Sequence, residues 1–217
     1  MLRKLLLVLA VAAVTACSSG GGGEELPAGP DLVKKAAEAM RSVKSAAFSI
    51  ATDGKPNVPV KKADGRLTAQ GDADGTITLE VFGSLQEITF ALIGDTVHFK
   101  GPTGGFQKLT RKELAQLYDP SLILDPTKGI AQLIESGGDP RVEAEEGDAY
   151  RVAIGFSEQT LGPLVPGVTE PVNGKVWIDK ATSRLTKIEL PLQNGTVSVM
   201  LSDYDAPVTV TPPPSAG

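Results

Sequence analysis

The spacing of apolar residues changes period three times along this chain. Between Asp31 and Ser45, the residues Leu32, Val33, Ala36, Ala37, Met40 and Val43 recur every three or four positions, with Lys34, Lys35, Glu38 and Arg41 between them. That pattern predicts an amphipathic helix with Asp31 as its N-cap. From Ala47 the period drops to two. Phe48 and Ile50 begin it, followed by Leu67 and Ala69, by Ile77, Leu79 and Val81, by Ile88, Phe90 and Leu92, and by Val97 and Phe99. Asp53-Gly54, Asp64-Gly65, Asp74-Gly75 and Gly94-Asp95 read as turns, so this stretch predicts an antiparallel meander with one apolar face. Helical spacing returns over residues 110–137. Thr110-Arg111-Lys112-Glu113 fits a capping box, and Leu114, Leu117 and Tyr118 follow it. Asp119-Pro120 interrupts; Asp125-Pro126 restarts a helix bearing Ile130, Leu133 and Ile134, with Gly137 as its stop. Alternation resumes at Tyr150, Val152, Ile154 and Phe156. A helical turn at Ser157–Leu161 comes next, then three more alternating runs at Val176-Ile178, Ile188-Leu190 and Val197–Leu201. Asn194-Gly195 is a hairpin signal before the last run. Two amphipathic helical segments and one long apolar sheet face must cover each other, which makes the fold class α+β with a large antiparallel sheet.

The N-terminus follows a different logic. Arg3 and Lys4 precede an apolar run from Leu5 to Val14, and small residues follow it. This is the build of a secretory signal peptide, and the run is shorter than the roughly 20 residues a membrane-spanning helix needs. Val14-Thr15-Ala16-Cys17 resembles a bacterial lipobox, in which the cysteine is lipidated and becomes the mature N-terminus. Cys17 is the chain's only cysteine, so with its thiol acylated no disulfide can form. Residues 1–16 are thus expected to be the signal and 17–30 a Gly/Ser- and Pro-containing flexible tether. Residues 31–208 form the domain, and 209–217 a Pro-rich tail without fixed structure.

Charge narrows the partners. The net charge is −5, and about −7 once the two cations of the signal are removed. That argues against a nucleic-acid partner, since binding phosphates needs a basic patch. Candidate chemistry is sparse. His98 is the only histidine and alternates outward on a strand, a surface position rather than a catalytic base. Gly155-Phe156-Ser157-Glu158-Gln159 lacks the second glycine of a nucleophile elbow. Asp72 and Asp74 lack the further ligands of a calcium loop, and Glu143, Glu145 and Glu146 read as a solvated loop. No catalytic set, metal site or cofactor site is expected. Aromatics are only 5% of residues, which leaves little bulk to fill the concave side of a wide sheet. Alternation alone does not separate a filled core from a cavity. A lipid carrier, a solid-core structural or interaction module of the envelope, and a hydrolase with an unrecognised site remain open on the residues.

Taken in order, the lipobox and tether, the helix before Lys44-Ser45-Ala46, the stretch from Tyr118 to Ile130 (YDPSLILDPTKGI) and the stretch from Pro171 to Asp179 (PVNGKVWID) resemble the LppX/LprA/LprF/LprG lipoproteins of mycobacteria and their relatives. The likeness lies in order and spacing across the mature chain, not in a catalytic signature. It implies a half-barrel of antiparallel strands curling over helices on its concave face, as in the LolA/LolB carriers, and an apolar cavity between them. It further implies an acylated lipid or glycolipid as ligand. The chain would be lipid-anchored to the cell membrane, facing the periplasm or cell wall, with room for an envelope lipid exporter as partner. Apolar positions on the face that sheet and helices share are the expected lining: Leu79, Val81, Phe90, Leu92, Ile123, Ile130, Leu133 and Ile154.

Overall fold

A computed structural model describes residues 25–115 and 122–213. The signal, Cys17, most of the tether, the Asp119-Pro120 break and residues 214–217 lie outside them. Eleven strands form one fully antiparallel sheet. In chain order they are β1 (Ser45–Gly54), β2 (Val60–Thr68), β3 (Ala73–Val81), β4 (Ser84–Ile93), β5 (Thr96–Lys100), β6 (Gln107–Thr110), β7 (Gly138–Glu146), β8 (Ala149–Phe156), β9 (Val172–Asp179), β10 (Leu185–Leu192) and β11 (Gly195–Ser202). Two meanders, β1–β6 and β7–β11, join where β1 pairs with β11, giving the order β6-β5-β4-β3-β2-β1-β11-β10-β9-β8-β7. The helices are α1 (Gly29–Arg41), α2 (Arg111–Leu114), α3 (Ile130–Glu135) and α4 (Glu158–Leu161). This is the expected α+β half-barrel: a large curved antiparallel sheet with helices on its concave, inner face.

Register fixes which side chains share that face. Successive inner rows across β1 to β5 are Ala46-Leu67-Ala73-Leu92-Val97, Phe48-Gly65-Gly75-Phe90-Phe99 and Ile50-Ala63-Ile77-Ile88. Across the seam, Ile50 meets Val199, and the row continues through Ile188, Val176 and Val152. The apolar stripe of α1 (Leu32, Val33, Ala36, Ala37, Met40) is buried, as is that of α3 (Ile130, Ala131, Leu133, Ile134). The two helices pack on each other, and an Arg41–Glu135 ion pair joins their ends. α1 also covers the outer edge strand, since a Cβ on Gly29 would lie 2.0 Å from the Pro140 carbonyl oxygen. A covered edge cannot recruit another strand.

Several local expectations are corrected. α1 starts at Gly29 after Ala28, with Pro30 in its first turn; Asp31 lies inside that turn and is not the cap. Asp64-Gly65 and Asp74-Gly75 are not turns. They sit in mid-strand on β2 and β3, where Gly65 pairs with Gly75. The turns lie at residues 55–59 and 69–72. The acidic run Glu143–Glu146 belongs to β7, where Glu143 and Glu146 pair with Arg151, and Glu145 with Lys180. Charge on an edge strand disguised its alternation. The helix expected from Pro126 is regular only from Ile130. Asp125 instead accepts the Thr127 and Lys128 backbone N–H groups in a preceding turn. The Thr110/Glu113 capping box, the helical turn at Ser157–Leu161 and the Asn194-Gly195 hairpin stand as expected, Asn194 at φ 66°. After β11 the chain has no regular structure, but it stays on the body. Asp205 accepts the Lys44 N–H, Ser45 donates to the Ala206 carbonyl, and Val208 and Val210 are half-buried.

Candidate functional site

The inner face is not evenly covered. Over β8 to β10 it is sealed: Val152, Val176, Ile178 and Leu185 have no accessible surface. On the other side of the seam, Leu92 and Val97 are buried, whereas Ile77, Leu79, Ile88, Phe90 and Phe99 are half-buried. Among the described residues, the helices lie nearest the sheet at β7 and β8, and the short α2 at β5 and β6. The β1–β2 loop reaches across instead to the segment after α4. A Cβ on Gly167 would lie 2.4 Å from the Asn57 carbonyl oxygen, and Val58 and Val168 are buried beside that contact. Beyond this bridge, the inner face of β3 to β5 stays partly exposed at Ile77, Leu79, Ile88, Phe90 and Phe99. The open area is a band of aliphatic and aromatic side chains with three uncharged polar neighbours, Ser84, Gln86 and Gln107, which pair with Val81, Leu79 and Phe99. Such a band can hold an apolar chain by contact alone.

Glycines shape the band. Gly65 and Gly75 face each other so closely that a Cβ on Gly75 would lie 2.2 Å from the Asp64 carbonyl oxygen. One on Gly65 would lie 2.9 Å from the Phe48 ring. Glycine at a tight bend lets the sheet curl, and the Phe48 ring fills the space its neighbour leaves. The sealed half repeats the device with Gly174 under Phe156, a Cβ there lying 2.8 Å from the ring.

The expected lining residues divide into three groups. Leu92, Ile130, Leu133 and Ile154 belong to the packed interior. Leu79 and Phe90 lie together on the open band, with Val81 at its end, 41% exposed. Ile123 lies elsewhere, in a crevice with Met40, Leu124, Asp125, Ile130 and Ala131 that is too small to admit water. Gly129 locks that crevice, since a Cβ there would lie 2.4 Å from the Leu122 carbonyl oxygen. The sequence overlooked Ile77, Ile88 and Phe99 as site residues, although their alternation places them on the same face.

The convex face is polar and extensively paired. Lys187 stacks 4.3 Å from the Trp177 ring, whose Nε1 donates to Glu146 at 2.6 Å. Arg66 pairs with Asp74 at 2.5 Å. Lys62 and Ser49 hold the Asp64 carboxyl below the usual carboxylate range. A recess of about 690 Å³ lies here, lined by Asp64, Arg66, Asp74, Thr76 and Thr89 together with Ala47, Phe48, Phe90 and Ala91, and walled by Phe106, Thr211 and Pro213. The Arg66–Asp74 ion pair in its lining sets it apart from the uncharged inner band. His98 does alternate outward, but it is buried at 9% exposure rather than on the surface. Ser157 is engaged as the cap of α4, accepting the Thr160 N–H. Burial pushes the Tyr204 phenol up, and its hydroxyl donates to the Leu185 carbonyl. Among the described residues, no buried side-chain polar atom lacks a hydrogen bond, and no three metal-ligating side chains come together.

Comparison with known proteins agrees with this architecture. The structure is similar to the crystal structure of LprF from Mycobacterium bovis, with a TM-score of 0.75 at 20% identity over 88% of this chain and 99% of that one. It is also similar to that of Mycobacterium tuberculosis lipoprotein LppX, with a TM-score of 0.65 at 18% identity over 86% and 100%. In sequence it is 29% identical over 198 residues to the lipoarabinomannan carrier protein LprG of Mycolicibacterium smegmatis, covering 87% of this chain and 84% of that protein. It is 30% identical over 197 residues to lipoprotein LprA of Mycobacterium tuberculosis, covering 84% and 80%. The model of the LppX_LprAFG lipoproteins matches residues 28–210, nearly the whole folded part, and the chain belongs to that family.

Proposed function

We propose that this protein is a membrane-anchored carrier that holds the acyl chains of a lipid or glycolipid on the open inner face of β3–β5 and helps move it across the cell envelope. The observation that carries the reading is the half-buried band of Ile77, Leu79, Ile88, Phe90 and Phe99 in a sheet whose other half is sealed. A free lipid would expose its chains to water at a cost of about 0.8 kcal/mol per CH₂, or roughly 12 kcal/mol for a sixteen-carbon chain. Contact with the band replaces that exposure. No bond is broken, so the function needs no catalytic group. The relatives named as lipoarabinomannan carriers support an acylated glycolipid as the ligand class. Head groups would stay at the margin of the band, in water. Cys17 carries the anchor and holds the domain on the outer side of the cell membrane, where an envelope exporter can receive the cargo.

Native mass spectrometry and organic extraction of the non-acylated protein test the reading. The wild type should release acylated lipid. Leu79→Trp fills the band without touching the sealed half, so it should keep its melting temperature and lose the lipid. Loss of stability with no lipid in either form would replace the carrier by a solid-core structural module. Cys17→Ser should leave the membrane fraction; unchanged retention would refute the anchor.

A further inference from the structure

The β3–β4 hairpin ends in Val81-Phe82-Gly83-Ser84-Leu85, five residues without a charge. Phe82 is fully exposed at 103%, Leu85 is 64% exposed, and Val81 is 41% exposed. Register points Val81 to the inner face and Leu85 to the outer one, with Phe82 between them at the turn, so the tip is apolar in three directions. Phe82 also sits at φ 49°, a left-handed conformation that such turns normally give to Asn, Asp or Gly. The turn thus carries a residue disfavoured both by conformation and by water.

Its position in the fold says what it meets. β3 ends at the same end of the sheet as β1, where Gly54 pairs with Gly195. β7 begins there as well, and the first residue of α1 rests on Pro140 of that strand. The chain from Cys17 therefore enters the domain at the end of the sheet that carries the hairpin tip. Eleven residues separate Cys17 from Gly29, a span of at most about 40 Å. The band runs toward this end as well, through Ile77 and Leu79 to Val81.

We propose that the hairpin tip is a membrane-docking element. Phe82, flanked by Val81 and Leu85, enters the surface of the bilayer to which the chain is anchored, and so sets the open band against the lipid it loads. This rests on the proposed anchor for the nearness of the membrane; the chemistry of the cargo does not enter. The partner surface is a phospholipid bilayer, met by apolar insertion, because the mature chain is acidic and charge does not attract it to anionic lipid.

The test uses the acylated lipoprotein in vesicles of phosphatidylcholine and phosphatidylglycerol, with the single native tryptophan removed as Trp177→Phe. In that background, Phe82→Trp should emit to the blue and be quenched by brominated acyl chains. Gln70→Trp, in the exposed β2–β3 turn at the opposite end, should do neither. Equal, unquenched emission from both would overturn the proposal. So would a blue shift that appears without vesicles and grows with protein concentration, since the tip would then be a contact between copies. Phe82→Ser with Leu85→Ser should keep the melting temperature and lower partitioning of the non-acylated protein onto the same vesicles about tenfold or more. Unchanged partitioning would also overturn it. Absence of extractable lipid from every form would count against the carrier reading alone, because quenching at residue 82 is measured independently of cargo.

Discussion

Counting outward from the β1–β11 seam, β3 and β4 stand third and fourth on one side, and β9 and β8 stand third and fourth on the other. Their inner faces carry similar residues, Ile77, Leu79, Ile88 and Phe90 against Val176, Ile178, Val152 and Ile154. Both halves bend at a glycine covered by a phenylalanine. Yet one inner face is sealed and the other is half-open. The cause lies in the connections, not in the strands. α1 packs on α3 and β7, and α3 packs on β8 and α4, so the two longer helices gather over the second meander, while the short α2 lies at β5 and β6. The chain between β3 and β4 is a tight hairpin and contributes no cover. The same alternation therefore becomes core on one side and an apolar surface on the other, according to where the intervening chain is long enough to fold back.

Truncating the two phenylalanines tests this difference most strongly. Phe156 is 2% exposed and packs over Gly174, so Phe156→Ala should cost about 3–5 kcal/mol in urea denaturation. Phe90→Ala removes a half-buried ring and should cost about 1 kcal/mol, because less surface is returned to water. Equal losses would mean that the open half is as tightly packed as the sealed one. Enlargement should separate the halves in the same sense. Ile178→Trp inserts bulk where no accessible surface remains and should cost about 1–3 kcal/mol, while Leu79→Trp leaves stability unchanged. The glycines are where the halves should agree. A methyl group on Gly65 meets the Asp74 carbonyl at 2.3 Å, and one on Gly174 meets the Phe156 ring at 2.8 Å, so both alanine variants should lose stability by about 1–3 kcal/mol. Tolerance of Gly65→Ala would show that the bend of the open half does not depend on that close approach.

Those glycines also mark where the sequence was hardest to read. Asp64-Gly65 and Asp74-Gly75 carry the residues of hairpin turns and were read as such, but a bend within paired strands needs the same residue for a different reason. β7 was hidden by glutamates that make sense only once Arg151 and Lys180 are placed beside them. What was legible depended on local chemistry. The capping box at Thr110, the Asn194-Gly195 hairpin and the facing of Leu79 and Phe90 each follow from residues within a few positions. Half of the expected lining fell in the packed core because alternation reports a face and not what covers it. Ile154 and Ile88 carry the same signal, and only the path of the chain distinguishes them.

The smallest expected difference is in acid and salt. Asp179, the last residue of β9, accepts the Thr182 hydroxyl and backbone N–H, each at 2.7 Å, and these bonds hold its carboxyl below the ordinary range. Asp64, on the open half, is held low by Lys62, whose Nζ is 3.0 Å away, and by the Ser49 hydroxyl. A carboxyl whose folded value lies below its unfolded value of about 3.9 favours folding in its charged form. Its contribution is therefore complete above that value and is lost as pH falls through the lower, folded one. Both groups are largely exposed, so each contributes less than about 1 kcal/mol. Asp179→Ala and Asp64→Ala should both be less stable than wild type at pH 7, and the gap should shrink below about pH 4. Salt should then tell the halves apart. The Asp179 bonds come from uncharged donors in its own turn and should persist at 1 M salt, where the screening length falls to about 3 Å. The Asp64 contribution leans on an exposed ammonium and should fall. Thermal melts of the two variants and wild type, at pH 7 and pH 3 and in 0.1 M and 1 M salt, check both. An Asp64 gap that survives high salt would assign its depression to Ser49 instead, making the two carboxylates equivalent despite the different cover of their halves.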